Sequence, residues 1–357
     1  MKLVLLLVTL SVLTGVFAGD FATGGSDLFS FSGYSKYRFA MWGREGHDPA
    51  NGFDLYNRTT WAPRVSESLS ARLSFDTRYG FTAYDSTIGY VSNDYTLKLV
   101  EAYGRLSFSP EISLTGGRFK LPFGYGYNRP GGSIPFYGRV LSASDTTFSG
   151  YGGLDVGMLL STDFGPVVID LAYTNGTDSR ADTTMNKQFT ARLSSTPARW
   201  LGVGAAAAII GQPEMDPVDQ WSATGLDFYA YGSYPITGKT TLDYEGEYMI
   251  LPFRGPVADN MINESGGSYY FSLAAAHQVD MGMLTAVQPA VRYEILSPPE
   301  QVSAGVPVPE TDRSAIDFCL NLHTGAMNTV QLGGRSYSYQ SGDEGHTDVY
   351  VNWRMLF

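Results

Sequence analysis

Along most of the chain apolar and polar residues alternate one for one, in stretches of about ten residues separated by clusters of turn formers. In SLSARLSFDTRY, residues 68–79, the apolar phase is Leu69, Ala71, Leu73, Phe75 and Tyr79. The polar phase is Ser68, Ser70, Arg72, Ser74, Asp76 and Arg78. In LFSFSGYSKYRFAM, Phe29, Phe31, Tyr37 and Phe39 oppose Ser30, Ser32, Tyr34, Lys36 and Arg38. Successive side chains of a strand point to opposite faces, so a period of two predicts strands with one apolar and one polar wall. About sixteen such segments start near residues 28, 54, 67, 95, 111, 154, 166, 186, 201, 226, 239, 268, 284, 313, 327 and 346. The last, DVYVNWRMLF, carries Val349, Val351, Trp353, Met355 and Phe357 on one phase and stays in pattern to its final residue.

The connections alternate in length. They are short at 164–166, 197–200, 235–238 and 280–283, and long at 42–53, 122–150, 211–222, 252–267 and 297–312. Such alternation places all short turns on one rim and all long loops on the other, as in an antiparallel up-and-down β-barrel. No helical linker, heptad or low-complexity tract interrupts the series, so residues 19–357 read as one all-β domain.

Alternation alone also fits a soluble β-sandwich whose apolar faces share a core. Three features favour the opposite arrangement, with polar side chains inside. Aromatic residues gather near segment ends (Phe29, Tyr79, Phe164, Tyr173, Trp353, Phe357), as interfacial girdles do. Charges sit at the centres of the polar phases (Arg72, Asp76, Asp170, Arg192, Glu245, Arg292, Asp317). Ten tilted residues rise roughly 25 Å, the height of the apolar band of a transmembrane barrel. A charge facing lipid there costs about 2–4 kcal/mol, so Arg72 sets the phase of its strand, and the polar phase is expected to line a lumen.

Composition agrees: 41 Gly, 24 Tyr and 20 Phe with only 17% charged residues favour strands and turns over surface helices. Residues 2–18, KLVLLLVTLSVLTGVFA, have one Lys, a short apolar run and a Val16-Phe17-Ala18 ending. They read as a signal peptide over 1–18, too short for a span, directing export through the periplasm to the bacterial outer membrane. The lone Cys319 allows neither an intrachain disulfide nor a cysteine metal cluster. A formal net charge of −11 argues against a nucleic-acid partner and hints at cation preference. The histidines His47, His277, His323 and His346 are scattered, and DEGH at 343–346 reads as a solvated turn, so no metal, cofactor or catalytic centre is expected. Ser272 near His277 leaves a lipid-facing barrel hydrolase as the minor enzymatic alternative.

The stretch LKLVEAYGRLSFSPEISLTGGRFKLPFGYG, residues 97–126, carries Glu101, Ala102 and Tyr103, then Gly117, Phe119, Lys120, Pro122, Phe123 and Gly124. It resembles the phosphate-selective porin O and P family of bacterial outer-membrane proteins. Asp155, Gly157, Asn175 and Gly176, and further on Pro289, Arg292 and Tyr293, are similar to other blocks of that family. The resemblance implies a sixteen-stranded channel, a homotrimer, and a long loop folded into the lumen after the Pro-Phe-Gly turn. The phosphate-selective members use a ladder of arginines and a cluster of lysines. Here the loop at 122–150 has only Arg129, Arg139 and Asp145 as charged residues, so phosphate selectivity is not carried over.

A passive pore works by width and by the field at its narrowest point, so lumen-phase charges are the candidate site. Lys36, Arg38, Arg72, Arg78 and Arg105, with Asp76 and Glu101, dominate the early strands, whereas Asp243, Glu245 and Glu247 gather on one later strand. Facing each other, they would make a basic wall opposite an acidic one; the plainer reading is that they pair laterally and hydrate the wall. Arg118 and Lys120, just before the loop, and Arg129 and Arg139 within it, are candidate constriction cations. Tyr125, Tyr127 and Tyr137 are expected to brace the loop. The expected function is passive diffusion of ions and small hydrophilic solutes, at most weakly selective, with outer-membrane lipid as surroundings. The alternative is a structural or adhesive barrel with a plugged lumen, its loops 252–267 and 297–312 touching partners.

Overall fold

The computed structural model describes residues 29–44, 50–83, 91–144, 151–176, 187–211, 222–252, 265–298, 301–303, 306–308, 312–325, 327–339 and 345–357. The expected signal segment and the central parts of most long connections lie outside the described residues. The strands are β1 (Phe29–Arg44), β2 (Ala50–Pro63), β3 (Leu69–Ala83), β4 (Val91–Ser107), β5 (Ile112–Lys120), β6 (Leu154–Asp163), β7 (Val167–Thr174), β8 (Gln188–Ala198) and β9 (Leu201–Gly211). They continue as β10 (Ser222–Thr237), β11 (Thr240–Pro252), β12 (Ser265–Met281), β13 (Leu284–Ser297), β14 (Gln301–Ser303), β15 (Val306–Val308), β16 (Arg313–His323), β17 (Asn328–Tyr339) and β18 (His346–Leu356).

All but β14 and β15 form one closed antiparallel barrel of sixteen strands, each bonded to its neighbours in sequence and β1 sealed against β18. β14 and β15 pair with each other in a separate ribbon between β13 and β16. Each barrel strand begins within four residues of the start expected from its alternation. The short turns share one rim with both ends of the barrel sheet, and some need a left-handed backbone, which Gly165 and Gly282 supply at φ 81° and 65°. The seam is closed at that rim: the Gly33 amide donates to the Phe357 carbonyl at 2.7 Å, and the Phe357 amide to the Gly33 carbonyl at 3.0 Å. The Phe357 ring stacks on Phe31 at 5.7 Å, so the last residue is paired rather than frayed.

The wall is apolar outside and polar inside. Phe39, Trp61, Leu97, Met158, Tyr173, Leu193, Phe228, Phe271, Phe318 and Val349 are exposed outside, whereas Lys36, Asp54, Glu101, Asp170, Glu247, Arg292, Asp317, Gln331 and Arg354 are buried inside. Among the described residues no helix is long and apolar enough to cross a membrane. One irregularity resets a phase. A bulge at Val100 separates the pair Phe75–Leu99 from Ser74–Glu101. Leu97 and Leu99 therefore face out, while Glu101, Tyr103 and Arg105, also odd-numbered, face in.

Candidate functional site

The connection from β5 to β6 carries two helical turns, α1 (Tyr125–Asn128) and α2 (Leu141–Ser144), and it packs inside the barrel. Its apolar side chains find sites where the inner wall gives up polarity. Phe123, Leu141 and Tyr151 cluster with Ala206, Ala208, Ile210, Met249, Leu251, Leu296 and Ala315. Ile134 and Phe136 cluster with Ala274, Ala290 and Cys319. Removing these side chains from water supplies the non-directional part of the docking. Small residues on β9 make room: Tyr229 and Tyr231 lie over Gly204 and Gly202, where a Cβ would collide with their rings. Tyr125 then stacks on both tyrosines, at 4.9 and 4.8 Å, which is the bracing expected of it.

Directional contacts fix the loop's position. The Gly124 amide donates to Asp227 at 3.0 Å, and both oxygens of Glu247 accept from the loop, one from the Tyr125 amide and the other from Gly126 at 3.0 Å. Arg129 pairs with Glu245. The Leu141 amide donates to Glu294, which also binds Arg335 at 2.8 Å and Arg292 at 2.6 Å. Arg292 bridges Asp317 at 2.9 Å to the Gly138 and Arg139 carbonyls at 3.2 Å, and its guanidinium lies 4.5 Å from the Phe136 ring. Gln331 donates to the Pro135 carbonyl at 2.8 Å and Arg354 to the Ile134 carbonyl at 2.7 Å. Most of these groups are enclosed, where a charge left unpaired is costly, so their mutual contacts hold the loop in one geometry.

The opposite wall, β1 to β4, is held differently. In a sixteen-strand ring β3 stands across the barrel from β11, so the basic and acidic strands do face each other. Arg38 pairs with Asp54, which also binds Arg78 at 3.3 Å; Arg58 makes a two-point contact with Asp76 at 2.6 Å. Arg72 meets Glu101 at 3.1 Å, and Arg105 donates to Thr115 at 3.1 Å. Unlike the far wall, this one stays wet: the side chains of Arg72 and Arg78 are 40% and 56% exposed, and Lys98 is exposed as well.

The loop's approach to this wall is cationic. Lys36 donates to the Tyr137 carbonyl at 3.3 Å, and Arg38 sits 4.2 Å from the Tyr137 ring centre. Lys120 donates to the Asn128 carbonyl at 3.2 Å. Arg139 turns to the carbonyls of Tyr127 and, at 3.3 Å, Arg129. Arg118 departs from the expectation. The register sets it level with Ala102 and Val156, and Val156 is exposed on the outside, so Arg118 points away from the lumen. The neighbouring Phe119 takes the inward place, packed with Leu121, Leu159 and Ala172.

Beneath the loop, toward the short-turn rim, lies a cavity of about 860 Å³ lined by Tyr125, Arg129, Pro135, Tyr231, Asp243, Glu245 and Gln288 among others. Asp243 accepts from Gln288 at 3.2 Å. His277 and Ser272 do not converge: five residues apart on β12, they point to opposite faces, and His277 is bonded to Thr240 at 2.9 Å. His346 stacks on Tyr337 at 4.2 Å, while Asp343 and Glu344 of the same stretch lie outside the described residues. Arg58, Asp227, Glu294, Gln331, Arg335 and Arg354 join the candidate set. Each carried a signal, a polar residue on the phase of a known inward neighbour, but only its contacts single it out, with Asp76 for Arg58 and with the loop for the other five.

No protein-family model and no curated protein sequence matches the chain. Solved structures do. The chain is similar to OprB of Pseudomonas putida (TM-score 0.63, 9% identity, covering 92% of this chain and 94% of that one). It is similar to an anion-selective porin from Comamonas acidovorans (TM-score 0.57, 12% identity, 92% and 99% covered). It is also similar to OmpF of Salmonella typhi, solved with daunomycin (TM-score 0.56, 16% identity, 92% and 97% covered). The fold is therefore that of the outer-membrane porin barrels.

Proposed function

We propose that this chain is an outer-membrane pore through which ions and small hydrophilic solutes diffuse down their gradients, with a weak preference for anions, working as a homotrimer. The observation that carries this reading is the unequal use of charge across the lumen. On the loop's side, Asp227, Glu245, Glu247 and Glu294 are consumed as acceptors for loop amides and guanidinium groups. On the other side, Arg72 and Arg78 keep much of their surface in water. A mobile ion passing there meets guanidinium groups, while across the lumen Glu245 is paired with Arg129 and the Asp227 and Glu247 carboxylates are turned to loop amides. The preference stays weak because Asp54, Asp76 and Glu101 pair with part of the basic wall and because salt screens what remains.

The porin fold, the apolar outer wall and the rim asymmetry support this reading, with the short turns periplasmic and the long loops outside. Planar-bilayer recording of the purified barrel tests it: stepwise conductance is expected. A second reading, a barrel plugged by its own loop, is favoured by the density of the loop's anchoring, with Phe136 fully enclosed. Silence from folded, correctly inserted protein would select it. An enzymatic role finds no support in the opposed Ser272 and His277.

A further inference from the structure

The cavity beneath the loop is bordered by two opposite charges that do not meet. Asp243 lines it from β11, three residues from the short-turn end of that strand, and accepts from the Gln288 side chain at 3.2 Å rather than from a cation. Arg199, exposed in the turn between β8 and β9, lines the same cavity. Among the described residues neither has an ion-pair partner. Strand β10 stands between them, with Gly202 level with Tyr231 and Ser233 level with Asp243. Their backbones therefore lie two inter-strand spacings apart, roughly 10 Å.

The rest of the lining narrows what fits between them. Ser272, only 4% exposed, turns inward from β12 beside Glu245 and has no hydrogen-bond partner among the described residues, so its enclosed hydroxyl is left for a ligand. The remaining charges at the cavity, Glu245 and Arg129, hold each other, so no third charge is free to select a charged side chain. Tyr125, Pro135 and Ala274 add apolar surface. At about 860 Å³ the cavity has the size of a small-molecule site.

We propose that this cavity binds small zwitterionic solutes, α-amino acids with neutral side chains, the ammonium group meeting Asp243 and Ser272 and the carboxylate meeting Arg199. A zwitterion answers both protein charges at once, whereas a solute with one charge leaves the other protein group uncompensated, and each such contact is worth more at a partly enclosed site than in bulk water. The proposal deepens the pore reading by naming a solute class, and for transport it rests on that reading. A solute entering the lumen would pause here, below the loop and toward the short-turn rim. The site also suits a pore of weak selectivity, since its preferred ligand has no net charge.

Equilibrium dialysis of the folded barrel in nonionic detergent tests the site, with radiolabelled L-alanine, ethylammonium and propionate as probes. The two analogues each keep one of alanine's charges. L-Alanine should bind about fivefold tighter than either. Asp243→Asn and Arg199→Gln should each weaken L-alanine by about fivefold; Arg199→Gln should leave ethylammonium unchanged, and Asp243→Asn should leave propionate unchanged. L-Alanine that binds no tighter than its analogues, or not at all, would overturn the proposal. So would folded variants, judged by heat-shifted gel mobility, that bind L-alanine as the native chain does. If the variants do not fold, the three probes on the native protein decide. Planar-bilayer recording separates this from the pore reading: a barrel that binds L-alanine and never conducts keeps the site and removes the pore, and a conducting barrel that does not bind L-alanine does the reverse.

Discussion

The two halves of the inner wall hold similar residues for opposite ends. From β9 to β18 the inward charges are arranged around the loop: Glu247 receives two successive amides, Arg292 spans from Asp317 to loop carbonyls, and Arg354 and Gln331 take two more. From β1 to β4 the charges form lateral pairs along the wall, and Arg72 and Arg78 stay in contact with water. The comparison teaches that counting lumen charges says little about a pore until the ones bound to protein are set aside. By net charge this is an acidic protein, yet the guanidinium groups of Arg72 and Arg78, each beside a carboxylate, keep much of their surface in water.

The largest way to break the comparison is to free the loop. Glu247→Ala removes the acceptor of the Tyr125 and Gly126 amides and strands them in an enclosed place, at about 1–3 kcal/mol per unsatisfied donor. Single-channel conductance should then rise about twofold or more and become noisier; an unchanged conductance would mean that the loop does not limit flow. Next comes the wet wall. Reversing Arg72 and Arg78 to Glu should move the anion-to-cation permeability ratio toward cations by about fivefold per charge, taking about 1 kcal/mol for an interaction across water. The same measurement on Glu245→Gln should change the ratio less, because that carboxylate is already paired with Arg129. Asp243→Asn, at the cavity beneath the loop, should shift the ratio slightly toward anions. The smallest effect is environmental: raising salt to about 1 M shortens the screening length to about 3 Å and should bring the native ratio close to that of free diffusion.

Much of the barrel was legible in the sequence because its rule is local. A period of two, reset at turns, is enough to phase Phe39 outward and Lys36 inward, and the final strand could be read from its own residues. The Val100 bulge shows where that rule stops, since it puts Leu99 outside and Glu101 inside although both are odd-numbered. The loop's anchors were not legible, since nothing near Glu247 announces that it will bind amides some 122 positions earlier in the chain. Arg118 and Lys120 were read together because both precede the loop. Alternation within β5 turns Arg118 outward, while Lys120, the last residue of the strand, reaches back to the loop. The hint of cation preference from composition and the proposed weak anion preference point opposite ways, because composition does not register which lumen charges are paired.

The most direct test of the central claim is the reversal potential of the native pore across a dilute salt gradient of ions of equal mobility, such as potassium chloride. The account predicts a modest potential of the sign set by faster anion passage, abolished by reversing Arg72 and Arg78. A potential of the cation sign would contradict it, for it would mean that the carboxylates holding the loop, and not the exposed guanidinium groups, set the field that ions meet.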